Sequence, residues 1–200
     1  ASSKIRVQGV DVNQKVVDTI NRGEIHIIEK DLDSAVKSAV DSGYLKASTE
    51  PEEADVFLIV VPTPFKGNYA PDISYVESAT KKVIPLLKEG DLFIIESTSP
   101  IGTTQKMKNL IFSERKELEG KINIAYCPER VLPGNIMYEL IHNDRVIGGI
   151  NEDSTNAAII FYKNFVKGKL YPTNAKTAEM CKLVENSSRD VQIAFANELS

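Results

Sequence analysis

The chain has 200 residues, 42% of them hydrophobic, so it can bury one sizeable core, or one domain and part of a second. A formal net charge of -4 gives no general electrostatic reason to bind nucleic acid or an anionic membrane surface. No apolar run approaches the roughly 18 residues that indicate a membrane span. We therefore expect a small molecule or another protein as partner, with no nucleic acid and no membrane.

The cysteines and histidines argue against a metal site and against a disulfide framework. Cys127 and Cys181 lack metal-site spacing, and the two histidines, His26 and His142, are far apart in the sequence. We expect both cysteines to be small core residues. No leader-like segment is apparent, so a reduced, cytoplasmic setting is expected.

The first half of the sequence predicts alternating strands and helices. The strand KIRVQGVD ends at Asp11, and the helix after it has Asn13 as its N-cap and stops at Gly23. The next predicted elements are a helix over 32–42, strands at YLKAST and DVFLIVV, a helix from Asp72 to about Lys88, and a strand at DLFIIES. The apolar runs DVFLIVV and DLFIIES are typical of strands buried on both faces.

The second half continues the alternation. It predicts a helix from about Thr103 to Leu118, the strand INIAYC, the loop PERVLPG, a short helix over 136–141, the strand RVIGGI, a helix over 154–167, the strand KLYPT, and a last helix over 177–199. This order predicts an α/β fold, a Rossmann-like parallel sheet with helices on both faces. Ligands bind such sheets at the carboxyl ends of the strands. We therefore expect the site at the loops that begin at Asp11, VPTP, ESTSP and CPER.

An acid that ends a strand before a helix, as in QGVDVNQKVV, is usual at the second strand of a dinucleotide-binding fold. Its carboxylate accepts hydrogen bonds from the adenosine ribose and favours NAD. A turn or capping role beside Asn13 is an equal alternative. The glycine-rich loop belongs about 20 residues before such an acid, and no G-x-G-x-x-G follows a strand here. Either Asp11 is not a ribose ligand, or the first strand, this loop and most of the first helix precede the sequence.

Five segments occur in order along the chain: VVPTPF, ESTSPIGTT, YCPERVLPG, NDRVIGG and TAEMCKLVENSSRDVQIAFANEL. With them the chain resembles the UDP-glucose/GDP-mannose (UDP-sugar 6-) dehydrogenase family over essentially its whole length. The resemblance implies a cytoplasmic NAD enzyme that oxidises a sugar C6 alcohol to a carboxylate in two hydride transfers. It favours the second interpretation of Asp11, in which the glycine-rich loop precedes the sequence.

The resemblance also implies a domain order. We expect a truncated NAD-binding domain over 1–173, the start of a central helix that forms a homodimer over 174–200, and a later domain with the catalytic cysteine. Neither Cys127 nor Cys181 matches that cysteine. The chain alone is therefore expected to be an incomplete enzyme.

Three cofactor contacts follow from the resemblance, at Asp11, Thr63 and Thr104. A hydroxyl and the N–H groups at a helix start suit phosphate or ribose oxygens, which agrees with the assignment of Thr104. The alternative is that Thr103 or Thr104 caps its own helix. Thr98 resembles a catalytic position near the nicotinamide and the reacting sugar carbon, and would otherwise be an ordinary turn residue.

The loop after INIAYC resembles the family loop that covers the UDP-sugar. Arg130 and Val131 are the implied substrate contacts, and Glu129 is the implied catalytic group that orients or activates water for thioester hydrolysis. A surface acid paired with Arg130 is the alternative for Glu129. The UDP-glucose branch carries a second acid where this sequence has Pro133. The resemblance therefore points to the branch that oxidises N-acetylated sugars, with UDP-N-acetyl-D-mannosamine expected as substrate and UDP-N-acetylglucosamine or UDP-glucose as rivals.

The last helix resembles the central helix of the family through Lys182, Asn186 and Arg189. Spacings of four and three residues place these side chains on one helix face. Such a group can hold an oxyanion and pair with the charge of the substrate, and Lys182 is the expected proton donor and acceptor at O6. The alternative is a solvated basic stripe with Glu179 and Glu185 nearby. A catalytically silent module for nucleotide-sugar binding or dimerisation is the rival from another functional class.

Overall fold

A computed structural model describes residues 5–25, 27, 29–132 and 134–199. His26 and Pro133, which the sequence interpretation used, lie outside the described residues. The chain divides into two compact units, the first formed by Ala1–Glu53, Arg130–Asp144 and Tyr162–Lys169, and the second by Ala54–Glu129, Arg145–Phe161 and Leu170–Ser200.

Strands and helices alternate along the chain, as the sequence predicts. In order they are β1 (Val7–Val10), α1 (Gln14–Asn21), α2 (Leu32–Asp41), β2 (Leu45–Ser48), β3 (Val56–Ile59), α3 (Ser74–Val83), β4 (Leu92–Ile95), α4 (Thr103–Glu114), β5 (Asn123–Tyr126), α5 (Ile136–His142), β6 (Arg145–Gly149), α6 (Glu152–Tyr162), β7 (Leu170–Asn174) and α7 (Ala175–Glu198). The α/β fold class is confirmed.

The first unit contains a two-stranded parallel sheet in which Val7 of β1 lies opposite Leu45 of β2. Asn13 caps α1, because its side-chain oxygen accepts a hydrogen bond from the Lys15 amide at 3.0 Å. Gly23 follows α1 with φ of 72°, a left-handed conformation that favours glycine. The predicted start and stop of this helix are thus confirmed.

The second unit contains a five-stranded sheet in the order β3-β4-β5-β6-β7. β3, β4 and β5 are parallel to one another, and β6 is parallel to β7. The pairing of β5 with β6 is antiparallel, which differs from the predicted all-parallel sheet. As a result β6 begins at the edge of the sheet where β4 and β5 end, and its first residue, Arg145, lies at that edge.

The core of the second unit surrounds β4 and β5. Every residue of β4 is buried, as predicted for a strand covered on both faces. The same prediction is wrong for the apolar run that contains β3. Leu58 of β3 is 40% exposed, and Val60, directly after β3, is 64% exposed. β3 is an edge strand of its sheet, so its neighbours cover it less completely. Pro172 is tolerated within β7 because β7 is the other edge.

Three helix ends differ from the prediction. α4 stops at Glu114 rather than at Leu118, and a separate 3-10 turn follows at Lys116–Leu118. α6 stops at Tyr162, five residues before the predicted end, and α3 stops at Val83 before a short 3-10 turn that contains Pro85. The predicted cap at Asp72 is displaced by one residue: Ile73 is the N-cap of α3, and Asp72 directly before it accepts a hydrogen bond from the Ser74 amide at 2.9 Å. Hydrogen bonds from Ser74, and after them from Lys66, lower the pKa of Asp72 to about 2.

Cys127 is fully buried, as expected, and Cys181 is half-buried on α7. Among the described residues, no group of three or more histidine, cysteine, aspartate or glutamate side chains could hold a metal ion. The described helices also include none with the length and apolar character that a membrane crossing requires.

Candidate active site

Charged side chains meet at the sheet edge where β4 and β5 end and β6 begins. Glu96 directly follows β4, Glu129 lies in the loop after β5, and Arg145 opens β6. The Arg145 guanidinium lies with Nη2 3.5 Å from Glu129 Oε2 and with Nη1 3.8 Å from Glu96 Oε1. Only 4% of the Arg145 side chain is exposed. A buried cation therefore stands between two carboxylates, which would otherwise repel each other.

Lys182 joins this group from α7. Its Nζ donates a hydrogen bond of 2.5 Å to the backbone carbonyl of Glu129, which is 53 residues earlier in the chain. Glu129 is thus held at its carbonyl by Lys182 and at its carboxylate by Arg145. We call Glu96, Glu129, Arg145 and Lys182 the edge cluster; it contains two carboxylates and two cations.

The start of α7 reaches the edge cluster because small residues let the helix approach the sheet. α7 contacts β5, β6, β7 and α4, and its buried residues are Ala175, Ala178 and Glu179. Gly148 of β6 lies under the point where β7 turns into α7. A Cβ added at Gly148 would overlap the backbone of Asn174 and Ala175, so only glycine fits there.

Glu179 is a buried residue of α7 rather than part of a solvated stripe. Its Oε1 accepts hydrogen bonds from the Thr104 amide at 2.8 Å and from the Thr104 hydroxyl at 2.7 Å. Its Oε2 accepts a hydrogen bond from the Gly102 amide at 2.6 Å. Both groups of Thr104 that suit a cofactor oxygen are therefore bonded to Glu179. The predicted cofactor contact of Thr104 stays a prediction, and it would require Glu179 to be displaced.

The alternative interpretation, in which Thr103 or Thr104 caps its own helix, does not describe the cap of α4. The Thr103 hydroxyl donates instead to the Pro100 carbonyl at 2.7 Å, and the N-cap residue, Gly102, has no side chain. The cap of α4 is supplied from α7 by Glu179.

The structure brings Thr63 and Thr98 together. The Thr63 hydroxyl donates a hydrogen bond of 2.7 Å to the Thr98 carbonyl, which links the loop after β3 to the loop after β4. Ser97 adds to this link, since its hydroxyl accepts from the Val61 amide at 2.8 Å. The buried Tyr126 hydroxyl donates to the Ser97 carbonyl at 3.2 Å, and burial raises the pKa of Tyr126. The backbone around both threonines is therefore firmly held.

Asp11 lies after β1 in the first unit, with an exposed side chain. Its Oδ1 accepts a hydrogen bond from the Asn13 amide at 2.8 Å, which is the turn role that the sequence left open. A carboxylate has about four acceptor positions, so this bond leaves capacity for ribose hydroxyls. The geometry therefore fits both interpretations, and the residues present suit the adenosine ribose of NAD.

Arg130 and Val131 also belong to the first unit and are half-buried. Arg130 Nη1 donates to the Asp144 carbonyl at 3.2 Å, and the Arg130 carbonyl accepts from the Asn143 side chain at 2.8 Å. The same loop is held by Glu29, whose carboxylate accepts from the Gly134 amide at 3.0 Å. The predicted substrate loop thus has a defined local conformation.

Asn186 and Arg189, the other members of the predicted helix triplet, are exposed on α7. Lys182, by contrast, is half-buried and bonded to Glu129. The structure therefore brings together two predicted catalytic residues, Glu129 and Lys182, and leaves the rest of the triplet further along the helix.

Sequence reasoning missed three residues around this site, namely Glu96, Arg145 and Glu179. The sequence did contain a signal for Arg145, because it is a charged residue at the start of the otherwise apolar strand RVIGGI, and charged residues are seldom buried without a partner. Glu96 has a weaker one, as an acid at the carboxyl end of a buried strand. Nothing in the sequence distinguishes Glu179 from a surface glutamate.

The strand-helix alternation and the polar groups at the carboxyl ends of β1, β3, β4 and β5 define a dinucleotide-binding class of domain. A family model described as "UDP-glucose/GDP-mannose dehydrogenase family, NAD binding domain" matches residues 1–166. The chain belongs to the UDP-glucose/GDP-mannose dehydrogenase family. NAD is accordingly the cofactor of the matched domain.

Similar proteins include the UDP-N-acetyl-D-mannosamine dehydrogenase of Escherichia coli (strain K12), which is 58% identical over 100% of this chain and 50% of its own length. The NDP-N-acetyl-D-galactosaminuronic acid dehydrogenase of Ralstonia nicotianae is 53% identical over 100% of this chain and 49% of its own length. A solved structure of UDP-D-ManNAc dehydrogenase from Pyrococcus horikoshii has a TM-score of 0.92 and 44% identity, over 98% of this chain and 48% of that one. The chain spans about half the length of the curated relatives it matches.

Proposed function

We propose that this chain is the N-terminal part of a cytoplasmic, NAD-dependent UDP-N-acetyl-D-mannosamine 6-dehydrogenase. The observation that carries the proposal is the hydrogen bond from Lys182 to the Glu129 carbonyl, with Arg145 at the Glu129 carboxylate. It joins two residues proposed for catalysis across 53 residues of sequence. The 58% identity to a UDP-N-acetyl-D-mannosamine dehydrogenase supports the choice of substrate.

In this proposal residues 1–173 form the NAD-binding part and residues 174–200 begin the central helix. Asp11 would hold the adenosine ribose, and Thr63 would contact the cofactor at the loop after β3. Thr104 has no cofactor contact in this scheme, because its amide and hydroxyl are both bonded to Glu179. When bound, NAD accepts the hydride that leaves the sugar C6 carbon in each oxidation. Thr98 would lie beside the reacting carbon, held in place by the bond from Thr63.

Lys182 has the role of moving the proton at O6 of the sugar. In the next step a cysteine of the later domain adds to the aldehyde, and the aldehyde oxygen becomes an oxyanion. The ammonium form of Lys182 stabilises this oxyanion, with the Asn186 amide as a second donor. Arg189 pairs with the negative charge of the substrate, and Arg130 and Val131 hold the UDP-sugar from the loop after β5.

Glu129 acts in the last step, hydrolysis of the thioester formed by that cysteine. Its carboxylate takes a proton from water as the water oxygen bonds to the thioester carbon, and the carbon–sulfur bond then breaks to release a thiolate. Arg145, 3.5 Å away, orients the carboxylate for this role. The product is a UDP-N-acetyl-mannosaminuronate, a precursor for cell-surface polysaccharide.

The exposed apolar residues of α7 support a homodimer formed through this helix. Val191 is 67% exposed and Phe195 is 66% exposed, and Val184 and Ile193 are also more than half exposed, as is Leu199 directly after the helix. Apolar surface of this kind is usual where a partner helix packs.

A second candidate is oxidation of an N-acetylated galacto-configured sugar. The observation that favours it is the 53% identity to the Ralstonia nicotianae protein, a value close to the 58% of the Escherichia coli relative. The two candidates share every residue of the edge cluster's proposed chemistry and differ in the sugar alone.

The experiment is to incubate the full-length protein that contains this chain with NAD and each of four UDP-sugars, and to follow NADH absorbance. The sugars are UDP-linked N-acetylmannosamine, N-acetylgalactosamine, N-acetylglucosamine and glucose. We expect the highest kcat/KM with UDP-N-acetyl-D-mannosamine and two NADH for each sugar consumed. Turnover of UDP-glucose alone would refute the proposed substrate, and UDP-sugar binding without any turnover would favour a silent binding module.

A further inference from the structure

The buried carboxylate of Glu179 connects two helices that are distant in sequence. Its partners are the Thr104 amide and hydroxyl and the Gly102 amide, at 2.8, 2.7 and 2.6 Å. The residue is completely buried. A carboxylate with this burial is stable only where several donors replace its lost hydration, and here three donors do so.

These donors lie at the first turn of α4, where amide groups have no partner within the helix. The N-terminal end of a helix also carries partial positive charge, which favours an anion. Gly102, the N-cap residue, has φ of 94° and no side chain with which to cap. α4 therefore takes its cap from α7, from a residue 75 positions after Thr104.

Glu179 also fixes the position of α7. Lys182 follows it by three residues, so both side chains project from the same face of the helix, about 4.5 Å apart along its axis. One of them bonds to the start of α4, and the other bonds to the Glu129 carbonyl after β5. Two attachments on one face set both the rotation and the axial position of the helix start.

We propose that Glu179 is a positioning residue for Lys182: by capping α4, it holds α7 so that the Lys182 ammonium reaches the loop after β5. The inference rests on the proposed function, in which Lys182 moves the proton at O6. Glu179 itself touches neither substrate nor cofactor in this scheme.

The test is a double-mutant cycle in the full-length enzyme, with kcat and KM measured for UDP-N-acetyl-D-mannosamine. Glu179→Gln keeps the size of the side chain but places an amide N–H₂ or a single oxygen where two acceptors are needed. We expect kcat to fall about 10- to 100-fold, because a displacement near 1 Å has effects of this size. In a Lys182→Ala background the same substitution should lower kcat less than about twofold, because the group it positions is gone.

An equal loss in both backgrounds, or an unchanged kcat for Glu179→Gln, would overturn the inference. Glu198→Gln, the same substitution at an exposed position of α7, is the matched control and should leave kcat unchanged. If Glu179→Gln does not fold, Thr104→Val replaces it in the cycle. This variant removes only the hydroxyl donor and should give a smaller loss of kcat with the same dependence on Lys182.

Failure of the proposed function is separable from failure of this inference. Wild-type turnover tests the function, and if another UDP-sugar is oxidised, the cycle is run with that sugar. If none is oxidised, a crystal structure of the Glu179→Gln variant decides. A Lys182 Nζ no longer within hydrogen-bond distance of the Glu129 carbonyl supports the positioning role, and an unchanged hydrogen bond overturns it.

Discussion

The two parts of α7 both mix apolar, polar and charged residues, but their surroundings differ. In the first part, 175–183, Ala175, Ala178 and Glu179 are buried against the sheet and α4. In the second part, 184–198, apolar residues are exposed, with Val191 at 67% and Phe195 at 66%. A buried glutamate and an exposed phenylalanine in one helix show that the contacts of each turn, and not its residue types, decide what is buried.

The triplet Lys182, Asn186 and Arg189 crosses this division. All three share a helix face by spacing, yet only Lys182 lies in the first part, half-buried and bonded to Glu129. Residues on one helix face can therefore differ in burial and in hydrogen bonding, and we expect unequal roles for the three side chains.

The largest expected effect compares Lys182 with Arg189 in the full-length enzyme. Lys182→Ala should lower kcat about 10²- to 10⁴-fold, the usual contribution of a general acid or base. Arg189→Ala should chiefly raise KM, because an exposed cation contributes to substrate binding rather than to proton transfer. Steady-state kinetics with UDP-N-acetyl-D-mannosamine measures both. Equal losses of kcat would remove the distinction between the two parts of α7.

The next effect concerns the stability of the edge cluster against which Lys182 lies. Arg145→Met leaves Glu96 and Glu129 without the buried cation between them, which should cost about 3–5 kcal/mol of unfolding free energy. Arg145→Lys should cost less, because the charge remains while the planar guanidinium is lost. Urea denaturation of the chain measures the change. Arg189→Met, at an exposed position of α7, is the control and should stay within about 0.5 kcal/mol of wild type.

A smaller effect tests the packing of α7 with one substitution at two positions. Ala178→Leu forces a large side chain into the core and should destabilise the chain by about 1–3 kcal/mol. Ala194→Leu adds the same side chain to the exposed second part and should change the stability of the monomeric chain, measured at a protein concentration too low for dimer formation, by less than about 0.5 kcal/mol. Thermal unfolding of both variants gives the comparison, and similar losses would mean that the second part is packed as well.

The smallest effect is expected at the start of the first part, where the Asn174 side chain accepts a hydrogen bond from the Thr177 amide at 3.0 Å. Asn174→Ala removes this cap and should cost about 1 kcal/mol. Asn174→Ser keeps a capping oxygen and should lose only a few tenths of that value. Chemical denaturation that finds the two variants equally unstable would show that the cap contributes nothing to α7.

Local elements were predictable because neighbouring residues specify them. Asn13 caps α1, Gly23 follows its end in a left-handed conformation, and Asp72 bonds the first turn of α3, all within a few residues. The direction of β6 was not predictable in this way. An apolar strand has the same pattern whichever way it runs, and only its pairing with β5 reveals the reversal.

The candidate site residues also differ in whether short-range sequence features predict them. Candidate residues near strand ends, such as Asp11, Thr98 and Glu129, could be proposed from the sequence because ligand loops follow strands in this fold class and because five segments resemble one family. Arg145 was missed as a member of the site, since its place at the carboxyl edge depends on the reversed strand.

The sequence by itself determined the order of strands and helices, the family, and the shared face of Lys182, Asn186 and Arg189, because each depends on short-range spacing. Only the tertiary structure decided that Lys182 meets Glu129 across 53 residues and that Glu179 caps α4 across 75. Those contacts are hydrogen bonds between groups that burial deprives of water, and burial is a property of the packed helices and sheet. The sequence therefore cannot distinguish a glutamate exposed to solvent from one that caps a distant helix.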